Sequence, residues 1–299
     1  MTPRGRPGEP IPCDLTGAVV VVTGASAGIG KEVARGLVRR NAHVVLACRD
    51  LARGEAARAD LARGDAAWHG PGPDELGRRL EVALLDAADR ASIAAFAAGV
   101  AARHGRLDVL VNNAGVWLPR REETPEGLER TFATNVLGYH RLTRALAPLL
   151  AASAPARVVN VASRMAWGLD LTDLGFARRA WGRGAGAYAQ SKQANRMLSW
   201  SWAERLRPQG VTVHALHPGV VATEIARAGR GLVGLGARAY FALVGRSPAE
   251  GADTAVWLAA EPALDGVTGL LWQDRREVPC GFRDPAARAA LWEAVEAFA

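Results

Sequence analysis

A run of apolar residues at positions 18–22, four of them valines, leads directly into a glycine-rich segment at positions 23–30. A continuous β-branched run of this length is typical of a strand that is buried on both faces, as in a parallel sheet. The residues from Ile29 to about Arg40 follow a helical pattern. This order of strand, glycine turn and helix constrains the fold most, because it is the first unit of an alternating α/β chain.

The same alternation of strand and helix continues to the end of the chain, with no repeat and no linker. We therefore predict a single doubly wound, Rossmann-type α/β domain over residues 15–299, with a seven-stranded parallel sheet flanked by helices. Residues 1–14 are rich in Pro, Gly and Arg and are expected to form a flexible tail. The predicted strands are 18–22, 43–47, 81–85, 107–111, 157–161, 211–216 and 267–272.

Charge and cysteine content limit the classes of partner. The net charge of +7 comes from dispersed arginines, which favours a solvated basic surface over a nucleic-acid site. Cys13, Cys48 and Cys280 lie far apart and form no disulfide framework or paired metal motif, which suits a reducing cytoplasm. The N-terminus has no apolar run, and the six histidines show no metal-binding spacing. We therefore expect a cytoplasmic protein with no membrane anchor, nucleic-acid partner or metal.

The glycine-rich segment predicts a dinucleotide site. Gly24, Gly28 and Gly30 have the spacing G-x-x-x-G-x-G. Glycines permit a tight turn and close approach of the backbone to a pyrophosphate, and the following helix offers free N–H groups at its positive end. The alternative is a tight turn without a ligand. Thr23, Ser26 and Ile29 belong to the same candidate cofactor site.

The end of the second strand favours NADP(H) over NAD. An acidic residue there would hold the ribose hydroxyls of NAD, but Cys48 occupies that position and Arg49 follows it. An arginine can pair with the 2′-phosphate of NADP through its planar guanidinium, and Ser26 could add a hydrogen bond. The alternative is that Arg49 is only a surface residue and Asp50 binds NAD.

A candidate reacting centre follows the fifth strand. Tyr188 and Lys192 lie one helical turn apart on the same face, and a nearby ammonium would lower the pKa of the phenol. Lys31 and Lys192 are the only lysines among 37 basic residues, which indicates that an ammonium is needed at position 192. Ser163 ends the fifth strand, so its hydroxyl and the Tyr188 phenol could both hydrogen-bond a substrate oxygen beside a nicotinamide.

These features resemble the short-chain dehydrogenase/reductase family over nearly the whole chain. The ordered motifs are T-G-x-x-x-G-x-G from Thr23, N-N-A-G from Asn112, Asn135, Ser163, Y-x-x-x-K from Tyr188, and P-G at Pro218. The Ala-Cys-Arg-Asp sequence after the second strand and the His-Pro-Gly-Val-Val-x-Thr sequence resemble the retinol-dehydrogenase-like branch. Animal members of that branch often carry an N-terminal membrane anchor. Because we expect no such anchor here, we do not infer retinoid chemistry for this chain from the resemblance.

The resemblance implies a role for each matching residue. Tyr188 would be the general acid in reduction and the base in oxidation, and Ser163 would hold the substrate oxygen. Lys192 would bind the nicotinamide ribose hydroxyls and, with the positive charge of the oxidised ring, lower the Tyr188 pKa. Asn135 would act through a helix distortion and a proton-relay water. The remaining cofactor contacts would come from Asp86 at the adenine, Asn113 near the adenosine ribose, Ala114 and Gly115, Pro218 and Gly219, and Val220 and Thr223 at the carboxamide.

The expected activity is hydride transfer between NADP(H) and a bulky apolar ketone or secondary alcohol, in keeping with secondary metabolism. Apolar walls for the pocket are expected from Trp117, Met165, Trp167, Trp181 and residues 232–241. The helices over 131–150 and 193–207 form the usual dimer surface in the family, so a homodimer or homotetramer is expected. The alternatives are an epimerase or dehydratase acting on nucleotide sugars, and a non-catalytic NADP-sensing regulator.

Overall fold

The computed structural model describes residues 2–64, 70–221 and 245–298. Its eight strands form one sheet with the order β3-β2-β1-β4-β5-β6-β7-β8. Every neighbouring pair from β3 to β7 is parallel. The crossover between β1 and β4 is the switch point at which ligands of doubly wound sheets bind, so the fold class predicted from the sequence is confirmed.

The strands are β1 (Val19–Thr23), β2 (His43–Cys48), β3 (Leu80–Leu84), β4 (Val109–Asn112), β5 (Ala156–Val161), β6 (Val211–Leu216), β7 (Leu271–Gln273) and β8 (Arg276–Val278). The helices within the described ranges are α1 (Gly28–Val38), α2 (Leu51–Arg63), α3 (Pro73–Arg78), α4 (Arg90–His104), α5 (Arg130–Phe132), α6 (Gly138–Ala152), α7 (Ala185–Leu206), α8 (Pro248–Ala260) and α9 (Pro285–Glu296). A π-helical turn, Ala133–Leu137, joins α5 to α6.

Helices cover both faces of the sheet. All five residues of β1 are buried, as the continuous valine run predicts. Val20 and Val22 belong to one apolar cluster with residues of α1 and α8. Val19 and Val21 belong to a second cluster with residues of α4, α6, α7 and α9. Successive side chains of β1 therefore enter two separate cores, which is the physical reason why its sequence does not alternate.

The sheet has one strand more than predicted. β8 pairs antiparallel with β7 through a two-residue turn, and both turn residues, Asp274 and Arg275, have positive φ (53° and 55°). Such hairpin turns usually contain glycine, and because this turn contains none, it could not be predicted from the sequence. Arg275 is held in place because its Nε donates to Asp253 (2.8 Å) and its backbone N–H donates to the Thr254 hydroxyl (3.2 Å).

The N-terminal segment, expected to be a flexible tail, lies against this same corner of the molecule. The backbone N–H of Gly5 donates to the carbonyl of Arg275 (3.2 Å), and the Arg275 guanidinium donates to the carbonyl of Glu9 (2.8 Å). Ile11 is buried in the core beside α1 and α8. Within the described ranges, no helix combines the length and apolarity that crossing a membrane requires.

Candidate active site

The glycine turn after β1 is held in place by the end of β4. The Asn113 side chain donates to the carbonyl of Thr23 (2.9 Å), and the backbone N–H groups of Asn113 and Ala114 both donate to the Thr23 hydroxyl (2.9 Å each). Gly24 and Gly28 have positive φ (66° and 56°). A Cβ at Gly30 would lie 2.4 Å from the carbonyl oxygen of Gly24, so no larger residue fits there without moving the turn.

The same turn delivers the amino end of α1 to the carboxyl edge of the sheet. The residue before α1, Ala27, has no side chain that can cap the helix, and the first turn of α1 contains no acidic residue. The first N–H groups of a helix need an acceptor, and the helix dipole favours an anion beside them. Gly24, Ser26, Gly28, Ile29 and Gly30 therefore form a cradle suited to a pyrophosphate.

The end of β2 presents a buried thiol, an exposed arginine and a carboxylate that caps a helix. Cys48 is buried, and burial raises the pKa of its thiol to about 11. Ser26 lies beside this thiol and opposes part of that rise in its pKa, so the glycine turn lies against the end of β2. Asp50 caps α2, because its carboxylate accepts from the backbone N–H of Arg53 (3.0 Å), while Arg49 is exposed.

Asn135 lies in the π-helical turn between α5 and α6 and is fully buried. Its side-chain oxygen accepts from the N–H of Val116 (2.8 Å), and its amide nitrogen donates to the carbonyl of Val116 and the hydroxyl of Ser191 (3.0 Å each). The helix distortion expected at Asn135 is present. A Cβ at Gly115 would contact the Asn135 Oδ1 (3.3 Å) and the Lys192 Nζ (3.5 Å), so a glycine here leaves room for both groups.

Ser163, Tyr188 and Lys192 come together as the sequence predicts. The Ser163 hydroxyl lies beside the Tyr188 phenol as a partner that lowers its pKa. The Lys192 ammonium donates to the carbonyl of Val161 at the end of β5 (2.9 Å) and lies 5.8 Å from the centroid of the Tyr188 ring. Because α7 starts just before Tyr188, both side chains of the Y-x-x-x-K motif face the ends of β4 and β5.

Burial dominates the electrostatics of this group. It lowers the pKa of Lys192 to about 7 and raises the pKa of Tyr188, and the neighbouring Ser163 hydroxyl opposes the second effect. The sequence led us to expect a lowered Tyr188 pKa, so the direction differs. The physical reason is that the phenol is almost completely enclosed and the nearest ammonium has itself lost its solvation.

Tyr139 is a neighbour of the site that the sequence analysis missed. Its hydroxyl donates to the carbonyl of Val161 (3.4 Å), which also accepts from Lys192. The Lys192 ammonium lies 5.3 Å from the centroid of the Tyr139 ring, a distance at which the aromatic face attracts a cation. The available signal was the spacing, since Tyr139 follows Asn135 by one helical turn.

Trp117 forms a wall beside the phenol. Its ring stacks on Tyr188, with 5.0 Å between ring centroids and 17° between the ring planes. The indole of Trp117 donates to the carbonyl of Arg183 (2.8 Å), and the indole of Trp181 donates to the carbonyl of Leu118 (3.1 Å). Met165 is half-buried, Trp167 is exposed, and residues 232–241 lie outside the described residues.

The long segment between Ser163 and Tyr188 is bound to α7 through Gln190. The side-chain oxygen of Gln190 accepts from the N–H of Asp170 (3.0 Å) and the guanidinium of Arg179 (2.6 Å). Its amide nitrogen donates to the carbonyls of Asp173 and Leu174 (3.1 Å each). Gln190 is buried and follows Tyr188 by two residues, so this segment borders the reacting groups.

The predicted contacts after β6 are described only in part. Gly219 has a positive φ (82°), and the carbonyl of Val220 accepts from the N–H of Arg246 (2.8 Å). Pro218 is partly buried, Val220 is exposed and Thr223 lies outside the described residues. The carboxylate of Asp86, the residue predicted to meet the adenine, accepts from the N–H of Ala88 (2.9 Å) just after β3.

A glycine cradle, an asparagine in a widened helical turn and a Ser-Tyr-Lys group at one edge of a doubly wound sheet define an oxidoreductase site for a nicotinamide dinucleotide. The chain belongs to the short chain dehydrogenase family, whose model it matches over residues 18–230. It is an oxidoreductase of this family, and its resemblance to the retinol dehydrogenases is confirmed by its relatives.

Mouse (Mus musculus) retinol dehydrogenase 14 is 37% identical over an alignment of 293 residues that covers 94% of this chain and 86% of that protein. Human (Homo sapiens) retinol dehydrogenase 12 is 39% identical over 262 residues, covering 87% of this chain and 78% of that protein. Among solved structures, a metagenomic short-chain oxidoreductase in complex with NADP is 30% identical, with a TM-score of 0.61. That match covers 85% of this chain and 95% of the solved chain.

Proposed function

We propose that this protein transfers hydride between NADP(H) and a bulky apolar ketone or secondary alcohol, with Tyr188 as the general acid in reduction and the general base in oxidation. The observation that carries the proposal is the meeting of Ser163, Tyr188 and Lys192 at the end of β5, where Lys192 donates to the carbonyl of Val161 (2.9 Å) and lies 5.8 Å from the centroid of the Tyr188 ring. Lys192 is buried on the same face of α7. These groups lie at the edge of the sheet that also holds the glycine cradle.

The residues present fit a dinucleotide. The tight glycine turn, in which Gly30 packs against the Gly24 carbonyl with no room for a Cβ, and the uncapped amino end of α1 suit a pyrophosphate. When bound, the nicotinamide ring supplies or accepts the hydride. Lys192 would hold the ribose next to that ring, Asn113 would lie near the adenosine ribose, and Asp86 would meet the adenine. The other proposed contacts are Thr23, Ala114, Gly115, Pro218, Gly219, Val220 and Thr223.

The raised pKa of Tyr188 suits a proton donor. At neutral pH its phenol holds a proton, which it can donate as the substrate oxygen gains negative charge. The Ser163 hydroxyl can donate a second hydrogen bond to the same oxygen and so stabilise that charge. A protonated Lys192 then stabilises the phenolate that is left. Asn135 keeps Ser191 and the segment at Val116 in place behind these groups.

We propose NADP(H) as the cofactor because the end of β2 offers a neutral thiol, an exposed guanidinium and a carboxylate that already caps a helix. Cys48 is uncharged at neutral pH and Asp50 is occupied as a helix cap, so Arg49 is the charged group available to a 2′-phosphate. The solved relative in complex with NADP is consistent with this choice.

The substrate class is proposed from the aromatic lining. Trp117 stacks directly on Tyr188, so a substrate whose oxygen reaches the phenol must pass along an indole face. Such a wall favours bulky apolar molecules over small polar ones. Since the relatives are named retinol dehydrogenases, retinol and retinaldehyde are useful comparison substrates.

The direct test is a panel of ketones, aldehydes and alcohols of increasing size, assayed with NADPH or NADP⁺ and, in parallel, with NADH or NAD⁺. The absorbance of the reduced nicotinamide reports turnover. We expect turnover with bulky apolar carbonyls and higher kcat/KM with NADPH. Preference for NADH, or turnover confined to small polar substrates, would contradict the corresponding part of the proposal.

Two alternatives are less favoured. A non-catalytic NADP sensor needs no proton donor, whereas the chain retains Asn135, Ser163, Tyr188 and Lys192. An epimerase or dehydratase for nucleotide sugars needs a larger substrate region than the roughly 80 residues after Pro218. A cytoplasmic location, the absence of nucleic-acid and membrane partners, and a role in secondary metabolism stay predictions of the sequence.

A further inference from the structure

A second cluster of ligating side chains lies at the opposite edge of the sheet from Tyr188. His43 is the first residue of β2, Glu81 lies near the start of β3, and His104 is the last residue of α4. Helices that follow parallel strands run back to the starting edge of the sheet, so the end of α4 meets the beginnings of β2 and β3. None of these residues takes part in the site proposed above.

The ligand atoms of this cluster are already close together. The Glu81 Oε2 lies 3.0 Å from the His104 Nε2 and 3.6 Å from the His43 Nε2. All three ligand atoms lie within 4.8 Å of one another. Four ligands around a tetrahedral Zn²⁺ with bonds of about 2.0–2.2 Å are separated by about 3.4 Å. The two measured separations lie on either side of this value.

One nitrogen of the cluster has an unmet bonding capacity. The His43 Nε2 is shielded from solvent and has no hydrogen-bond partner among the described residues. The His43 side chain as a whole is still 32% exposed and that of Glu81 is 25% exposed, so a small ion can reach the cluster from the surface. A shielded imidazole nitrogen aimed at a carboxylate and a second imidazole is the arrangement that a metal ion would satisfy.

A neighbouring arginine also determines which oxygen of the Glu81 carboxylate is available to a metal ion. The guanidinium of Arg103 lies 2.7 Å from the Glu81 Oε1, which leaves Oε2 directed at the two histidines. Outer partners of this kind orient metal-binding carboxylates. Two imidazole nitrogens with one carboxylate oxygen form a donor set suited to Zn²⁺ and neighbouring divalent transition ions.

We propose that His43, Glu81 and His104 bind one Zn²⁺ ion, with water as the fourth ligand. The ion joins the ends of three elements, β2, the edge strand β3 and α4, far from the reacting groups. Its role is therefore structural: it binds the folded chain, raises the melting temperature and leaves turnover unchanged.

The test uses the untagged full-length chain after treatment with a chelator. Titration of Zn²⁺ in competition with a chromophoric chelator measures affinity and stoichiometry, and the absorption spectrum of added Co²⁺ reports tetrahedral nitrogen and oxygen ligation. His104→Gln, His43→Gln and Glu81→Gln each remove one ligand. His140→Gln is the matched control, because His140 also faces a carboxylate, that of Glu296 (3.1 Å), but belongs to no three-ligand cluster of the described residues.

We expect one equivalent of Zn²⁺ to bind, and about 4 °C of added thermal stability at a free concentration 100 times the Kd. Each ligand variant should lose at least tenfold in affinity, while His140→Gln should keep the site. Melting curves of the metal-free variants show whether each one still folds. Absence of a stoichiometric site, or a site that survives in folded His104→Gln and Glu81→Gln proteins, overturns the proposal.

Discussion

Lys192 is the residue whose surroundings change its acid–base chemistry most clearly. Its ammonium is buried, donates to the carbonyl of Val161 and lies against the rings of Tyr139 and Tyr188. In the unfolded chain the lysine pKa is near 10.5, whereas burial lowers it to about 7 in the folded chain. The folded protein therefore binds fewer protons than the unfolded protein between about pH 7 and pH 10.5.

This difference predicts a pH dependence of stability with a defined sign. The unfolded chain holds the extra proton in that window, so the free energy of unfolding should rise with pH, by about 2 kcal/mol between pH 7 and pH 9. The measurement is denaturant unfolding of the cofactor-free protein at several pH values. Lys192→Met removes the titrating group and should lose this rise; an equal rise in the variant would contradict the assigned pKa.

Arg49 should set the choice of cofactor. In Arg49→Ala, the ratio of kcat/KM with NADPH to that with NADH should fall by about 10- to 100-fold, because a charged hydrogen bond to a phosphate is worth about 1.5–3 kcal/mol. The experiment compares both cofactors at low and high salt with one ketone.

Asp50→Ala is the matched control for Arg49. It removes the cap of α2 and should lower stability by about 1 kcal/mol, while leaving the NADPH to NADH ratio unchanged. If instead Asp50→Ala removes NADH turnover and Arg49→Ala has no effect, the assignment of the two residues is reversed.

At the scale of single elements, the glycine turn between β1 and α1 depends on contacts that exclude any side chain at Gly30. In Gly30→Ala, the new Cβ would approach the Gly24 carbonyl oxygen and the Asn113 amide nitrogen to 2.4 Å. We expect a loss of about 2–3 kcal/mol of stability and loss of NADPH binding, measured by thermal unfolding and by fluorescence energy transfer.

Gly72→Ala is the control for Gly30. Gly72 has a negative φ (−68°), and a Cβ there would meet nothing within 4 Å. This variant should therefore bind NADPH as the original chain does. Normal NADPH binding by Gly30→Ala would show that the turn adapts and is not the rigid cradle described above.

The sequence was most informative where periodicity and motif order agree. The valine run of β1 and the order of Asn135, Ser163, Tyr188 and Lys192 were enough to predict the doubly wound fold and the residues that meet at its edge. The antiparallel strand β8 was missed because its turn lacks glycine and depends on bonds from Arg275 to Asp253 and Thr254.

Contacts between segments that are distant along the chain were likewise not predicted from the sequence. His43, Glu81 and His104 show no metal-binding spacing along the chain. They meet only because the end of α4 packs beside the starts of β2 and β3. The direction of the Tyr188 pKa was also missed, since it depends on how completely the phenol is enclosed. Spacing along one helix carries no information about burial.

At the scale of the whole molecule, α9 changes the surface expected for self-association. Trp292 of α9 packs against Trp202 and His140, with ring centroids 4.8 Å apart in both pairs. These partners belong to the two helices expected to form the dimer surface, so α9 covers part of that surface within the chain itself. The homodimer or homotetramer stays a prediction, which light scattering at two protein concentrations would test.

We propose that Tyr188 transfers the proton in a reaction that uses NADP(H). Tyr188→Phe keeps the ring that stacks on Trp117 and removes only the hydroxyl. NADPH binding can be followed through the nine tryptophans of the chain, by quenching and energy transfer, and turnover by NADPH absorbance. Tyr139→Phe is the matched control, because its hydroxyl bonds the carbonyl of Val161 and not Ser163.

We predict that Tyr188→Phe binds NADPH as tightly as the original chain and loses about 10²- to 10⁴-fold in kcat, while Tyr139→Phe changes kcat by less than about tenfold. If Tyr188→Phe binds NADPH normally and turns over substrate within tenfold of the original value, Tyr188 is not the group that transfers the proton.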